Sequence, residues 1–122
     1  RAQKALAQKA KDDKIKAEIK KTGMRGEISL RPEKLDVSGF TFDDAHINKE
    51  REHQVTRSEA EQYIREADVA FKKWNGRFVN YYGPNGAVFV DTENQNIRTA
   101  FRREQYDERT RKMREVLERE EG

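Results

Sequence analysis

Two turn signatures, Asn75-Gly76 and Gly83-Pro84-Asn85-Gly86, cut the middle of this chain into pieces too short for a helix. Asn-Gly is the dipeptide that a type I′ hairpin turn requires, because both central residues of that turn need positive φ. The pieces between the turns are rich in aromatic and β-branched residues: Val69 to Trp74, Arg77 to Tyr82 and Ala87 to Asp91. A polar stretch from Thr92 to Asn96 then leads into Ile97-Arg98-Thr99-Ala100-Phe101. Four short runs joined by tight turns predict a four-stranded antiparallel meander.

Helical periodicity flanks this block. Thr56-Arg57-Ser58-Glu59 reads as a capping box, and Ala60, Tyr63, Ile64 and Ala67 follow at the spacing of one buried helix face. Before it, Thr41-Phe42-Asp43-Asp44 offers Thr41 or Asp43 as the N-cap of a shorter helix running to about His53. After the sheet, Tyr106, Thr110, Met113 and Leu117 mark an amphipathic C-terminal helix expected to cover it. The expected class is α+β: two helices, a four-stranded meander and a closing helix. Residues 1–34 are expected to form a basic helical linker and an irregular connector, broken by Gly23 and Gly26, and residues 35–122 the domain proper.

Charge is unevenly spread. The chain carries 26 Lys and Arg against 23 Asp and Glu. Residues 1–21 hold eight basic side chains against Asp12, Asp13 and Glu18, leaving the other 101 residues with a balance of −2. A high pI therefore describes the arm rather than the domain. The arm has only Leu6, Ile15 and Ile19 as large apolar residues, so it reads as a solvated connector, with a nucleic-acid or partner-binding arm as the alternative. With no cysteine, disulfides, Cys-based metal sites and a Cys nucleophile are excluded. No run approaches the ~18 apolar residues of a membrane span, and no signal peptide is visible. The chain opens on Arg rather than Met and is expected to be a piece of a longer protein.

Two constellations carry chemistry. If residues 46–53 are helical, His46, Lys49, Glu50 and His53 share a face at i, i+3, i+4 and i+7, and these are the chain's two histidines. An imidazole in a first helical turn suits a neutral general base, and a nearby Lys suits an oxyanion or phosphate. A solvated charged face fits the same pattern. A metal site does not, because the histidines stand seven apart with Lys49 between them. The second constellation is the strand region, where Lys72, Lys73, Arg77, Arg98, Arg102 and Arg103 face only Asp91 and Glu93 and interleave with seven aromatics. Cations among aromatics suit RNA, through phosphate neutralisation and base stacking, although most of these rings are also needed for a core. Simple alternation puts Ile97, Thr99 and Phe101 on one face and Arg98 on the other, so Arg98 and Thr99 share a site only near a strand end or a twist.

Phe42-Asp43-Asp44-Ala45-His46-Ile47, the two Asn-Gly turns and Ile97-Arg98-Thr99-Ala100-Phe101 together resemble the barnase–EndoU–colicin–RelE superfamily of small nucleases. The closest likeness is to versions found at the ends of MuF-type phage minor head proteins and of polymorphic toxins, over about residues 40–117. The resemblance implies cofactor-free, metal-independent RNA cleavage, tRNA included, by attack of a ribose 2′-hydroxyl on the adjacent phosphate. It implies His46 as general acid or base, Lys49 or Arg51 as the nearby cation, and Arg98 with Thr99 at the scissile phosphate. Arg51, His53, Lys72, Arg77 and Tyr82, or Tyr81 in its place, are the expected substrate contacts, with His53 a second imidazole. The implied partners are RNA and an immunity protein, with no membrane. The implied site of action is the bacterial cytoplasm, reached from a virion or by export within a larger protein. A non-catalytic virion or partner-binding module is the alternative.

Overall fold

The structure, a computed structural model, describes residues 2–121 and falls into two compact units. The larger is Gly26–Gln105; the smaller joins the two ends of the chain.

In the smaller unit, helix α1 (Ala2–Lys21) packs on helix α3 (Glu108–Glu121). The helices run antiparallel, since Glu18 pairs with Arg119 at 3.2 Å while Gly23 lies against Arg109. Leu6 stays exposed, but Ile15 and Ile19, one turn apart, are buried, as are Met113, Val116 and Leu117 on α3. The arm is therefore more than a solvated connector: one apolar pair in its last turns gives it a partner ninety residues away in sequence. Gly23, at φ +91°, stops α1, and Asp107 caps α3 by accepting from the Thr110 amide at 2.8 Å. The C-terminal helix, expected to cover the sheet, thus belongs with α1.

The larger unit is built on a six-stranded sheet rather than four: β1 (Glu27–Leu30), β2 (Thr41–Phe42), β3 (Val69–Lys73), β4 (Phe78–Tyr82), β5 (Gly86–Asp91) and β6 (Asn96–Arg102). Their order is β1-β3-β4-β5-β6-β2, antiparallel throughout except where β2 runs parallel to β6. The two additions are edge strands of four and two residues. Strands so short carry little pattern of their own and exist because β3 and β6 offer them a ladder. β1 lies inside the stretch expected to be linker. The first expected helix is likewise reduced to a six-residue π-helical turn, Ala45–Glu50, behind β2.

Helix α2 (Arg57–Glu66) opens as expected with Thr56 and Glu59 in reciprocal hydrogen bonds of 3.1 and 2.9 Å. Its far end is closed by Lys34, whose ammonium donates to the carbonyls of Arg65 and Ala67. α2 lays Ala60, Tyr63 and Ile64 on one face of the sheet, where Ile47, Val55 and Val37 join Ala70, Val79, Tyr81, Val88, Val90, Ile97 and Ala100 to form the core. No helix among the described residues is long and apolar enough to cross a membrane.

The first hairpin turn is centred on Asn75-Gly76 as expected, the Arg77 amide donating to the Trp74 carbonyl at 3.1 Å, but the ladder stops one residue earlier on each side. Lys73 pairs with Phe78, and the left-handed residues that close the turn are Trp74 (φ +52°) and Asn75 (φ +55°), followed by Gly76 at φ +89°. Such a backbone costs a non-glycine residue roughly 1–2 kcal/mol. At the second turn the constraint is spatial instead. A Cβ on Gly86 would stand 2.4 Å from the Tyr63 ring, inside van der Waals contact with the helix that covers the sheet. Gly86→Ala is therefore expected to destabilise the fold by about 1–3 kcal/mol, the usual cost of overpacking. Gly39→Ala, where a Cβ meets nothing within 4 Å, is expected to be near neutral, and urea unfolding of both variants checks the difference.

Candidate active site

The face of the sheet turned away from α2 carries the polar and aromatic groups. Phe71, Asn80, Phe89 and Thr99 form one cross-strand row on it. Arg98 reaches the same face through a β-bulge. Phe89 pairs with Thr99 and Val90 with Ile97, so Arg98 is an extra residue with no partner across the ladder. Regular alternation, which separates Arg98 from Thr99, fails at this one position. Ile97 and Ala100 both enter the core, while Arg98, Thr99 and Phe101 line a cleft on the other side.

The opposite wall comes from the segment after the π turn. Arg51 donates its amide to the His46 carbonyl, and the chain then leaves helical geometry, with Glu52 at φ +55° and Gln54 at φ +57° on either side of His53. Asn48 holds this segment in place. Its amide nitrogen donates to the Val55 carbonyl and its oxygen accepts from the Val55 amide, both at 2.8 Å. His53 is thereby folded back, its own amide on the Ile47 carbonyl and its ring 5.6 Å from that of Phe101. The shared helical face expected for residues 46–53 does not form. His46 and His53 nevertheless meet at one cleft because the backbone reverses between them.

The cleft, of about 370 Å³, is lined by His46, Arg51, His53, Phe89, Arg98, Thr99, Phe101 and Gln105. Five residues singled out from sequence are thus brought together: His46, Arg51, His53, Arg98 and Thr99. Four others lie elsewhere. Lys49 is exposed on the outside of the π turn. Lys72 follows Phe71 and faces the other side of the sheet, beside Leu35 and Tyr81. Tyr82 is buried with its ring edge-on to Phe71 and Phe89. Arg77 is held by Glu93 at 3.1 Å and Asp91 at 3.5 Å. Phe89 and Phe101 stood in sequence only among seven aromatics of the strand region, whereas Gln105 and the clasp residue Asn48 had no signal, since each matters only through a neighbour brought close by folding.

Electrostatics at the cleft are positive and locally unsatisfied. The Arg98 guanidinium lies over the rings of Phe78 (4.8 Å) and Phe89 (5.6 Å), and its buried Nε has no hydrogen-bond partner among the described residues. His53 Nδ1 is likewise buried and unpartnered. His46 Nδ1 stands 3.1 Å from Glu50 Oε2. An ionised carboxylate only accepts, so Nδ1 is the nitrogen that donates, which leaves Nε2 as the one that can exchange a proton. Burial pushes the His53 pKa below the ordinary 6.5, the positive charges of Arg51 and His46 push the same way, and a hydrogen bond with Gln105 opposes them. Among the described residues no group of three His, Asp or Glu side chains could hold a metal ion. The arrangement suits an anion lying against Arg98 with two imidazoles at its flanks.

No protein-family model, curated protein or solved structure matches this chain.

Two outcomes follow from this geometry. The depressed pKa of His53 means that the unfolded chain takes up its proton first on acidification, so this group lowers stability as pH falls through about 6.5. His53→Gln is expected to flatten the pH dependence of the unfolding midpoint just below that value; an unchanged slope would remove His53 as its source. Asn48→Ala strips both partners from the buried Val55 backbone and is expected to cost about 1–3 kcal/mol in urea unfolding, against a smaller loss for Asn48→Asp, which keeps the acceptor.

Proposed function

We propose that the chain is a metal-independent endoribonuclease of the barnase–EndoU–colicin–RelE type, acting on RNA in the bacterial cytoplasm. The observation that carries this reading is Arg98: its buried Nε has no hydrogen-bond partner among the described residues, and its guanidinium lies over two rings in the same cleft as both histidines. A fold leaves a buried donor unpartnered at a cost, and an incoming phosphate relieves it.

In the proposed reaction the ribose 2′-oxygen bonds to the adjacent phosphorus and the bond from phosphorus to the 5′-oxygen breaks. The products are a 2′,3′-cyclic phosphate and a 5′-hydroxyl. His53, biased toward its neutral form, suits removal of the 2′ proton. His46, its Nδ1–H held by Glu50, enters the step with a second proton on Nε2 and gives that proton to the leaving 5′-oxygen, so that His53 ends protonated and His46 neutral. Arg98, with the Thr99 hydroxyl beside it, would offset the charge that builds on the phosphate oxygens. Within this reading Arg51 supplies a further cation at the rim, whereas Lys49, Lys72, Arg77 and Tyr82 have no part in the bond-breaking step. A neutralising immunity protein and a larger phage or toxin parent belong to the same proposal.

Incubation of the purified chain with RNA in EDTA is expected to yield fragments ending in cyclic phosphate. His46→Ala and Arg98→Ala are each expected to slow cleavage by roughly 10²–10⁴-fold. Intact RNA would instead favour a non-catalytic module, and undiminished cleavage by His46→Ala would overturn the assignment of His46 as the acid.

A further inference from the structure

Trp74 is the chain's only tryptophan, and it is 73% exposed. It sits in the β3–β4 turn at φ +52°, a conformation a bulky side chain rarely takes, and it adds nothing to the core. Its ring is not isolated, however. It stands edge-on to Phe78 at 5.4 Å, and the Arg77 guanidinium lies over both rings, at 5.9 and 4.9 Å. Beyond Phe78 comes Arg98 at 4.8 Å, then Phe89 at 5.6 Å, Phe101 5.4 Å further on, and finally His53 at 5.6 Å. Rings and guanidinium planes thus run without a gap from the exposed turn into the cleft.

Building on the ribonuclease reading, we propose that Trp74 is a distal stacking platform for an unpaired base, which makes the substrate single-stranded RNA extending several nucleotides beyond the cleaved phosphate. Every base offers a π-face, so an indole standing in water suits stacking without sequence choice. A duplex keeps its bases stacked on one another and presents phosphates and riboses instead. The charges separate two roles along the track. Arg98, whose Nε finds no hydrogen-bond partner among the described residues, serves phosphate, whereas Arg77 is neutralised by Glu93 and Asp91 and serves as a flat spacer under the Trp74 end. Contact at Trp74 should therefore come from stacking and depend little on salt, while contact at Arg98 should weaken as salt rises.

The lone tryptophan reports on itself. The test titrates the full chain with a short 2′-O-methyl RNA strand, which lacks the attacking hydroxyl, and with the same sequence as a duplex. Binding is followed by anisotropy of the labelled RNA and occupancy of the platform by tryptophan fluorescence. The expected result is quenching by the single strand only, with Trp74→Ala weakening that strand by about ten-fold, Trp74→Phe restoring most of the loss, and the salt slope unchanged. Binding that leaves Trp74 fluorescence and Trp74→Ala affinity unaltered would overturn the platform while leaving the ribonuclease reading intact. Equal quenching by the duplex would overturn the single-strand preference. Absence of binding together with intact RNA in the EDTA assay would remove both. Quenching by a co-purifying protein but not by RNA would assign the turn to a protein partner and overturn the proposal.

Discussion

The extra residue in β6 decides what this sheet can do. Ile97 and Ala100 are both fully buried against the helix side, which regular alternation forbids for residues three apart. Without the bulge, either an isoleucine would be left in water or the Arg98 guanidinium would be driven under α2, where burial without a partner costs several kcal/mol. The bulge opposite Phe89 and Val90 avoids both. It also places Arg98 and Thr99 side by side on the face that carries Phe78, Phe89 and Phe101. The core on one side and the cleft on the other thus share a single backbone irregularity.

The facing wall depends on a different device. Residues 51–55 are neither helix nor strand, and two non-glycine residues there hold positive φ. Strain of this kind persists only where surrounding contacts over-determine it. Here the contacts are the paired hydrogen bonds from Asn48 to the Val55 backbone and the burial of Ile47 and Val55 in the core. Fixed at both ends, the segment delivers His53 to Phe101, and the π turn delivers His46 beside it, with Glu50 setting its tautomer.

Net charge says little about such a site. Beyond residue 21 the chain is slightly acidic, yet the cleft is lined by Arg51, Arg98 and two imidazoles, with Glu50 held on His46. What an anion meets is the field within a few ångströms, and a balance summed over a hundred residues averages that away. The acidic groups are used elsewhere: Glu93 and Asp91 on Arg77, Glu61 on Arg57 and Glu118 on Arg114.

Local chemistry was legible in the sequence and long-range chemistry was not. Thr56 and Glu59 cap α2 because the capping box is closed within four residues, and Asn75-Gly76 closes its hairpin because the preference for positive φ belongs to the residues themselves. His46, Arg98 and Thr99 could be singled out by type and position. Their meeting could not, because it rests on a bulge imposed by packing across β5 and on Asn48 reaching forward to Val55. The edge strands β1 and β2, the pairing of α1 with α3 and the early end of β3 at Lys73, which leaves Trp74 in the turn, were hidden for the same reason. Each is stabilised by a partner distant in sequence or by competition between core and ladder, and periodicity along the chain reports only what neighbouring residues prefer.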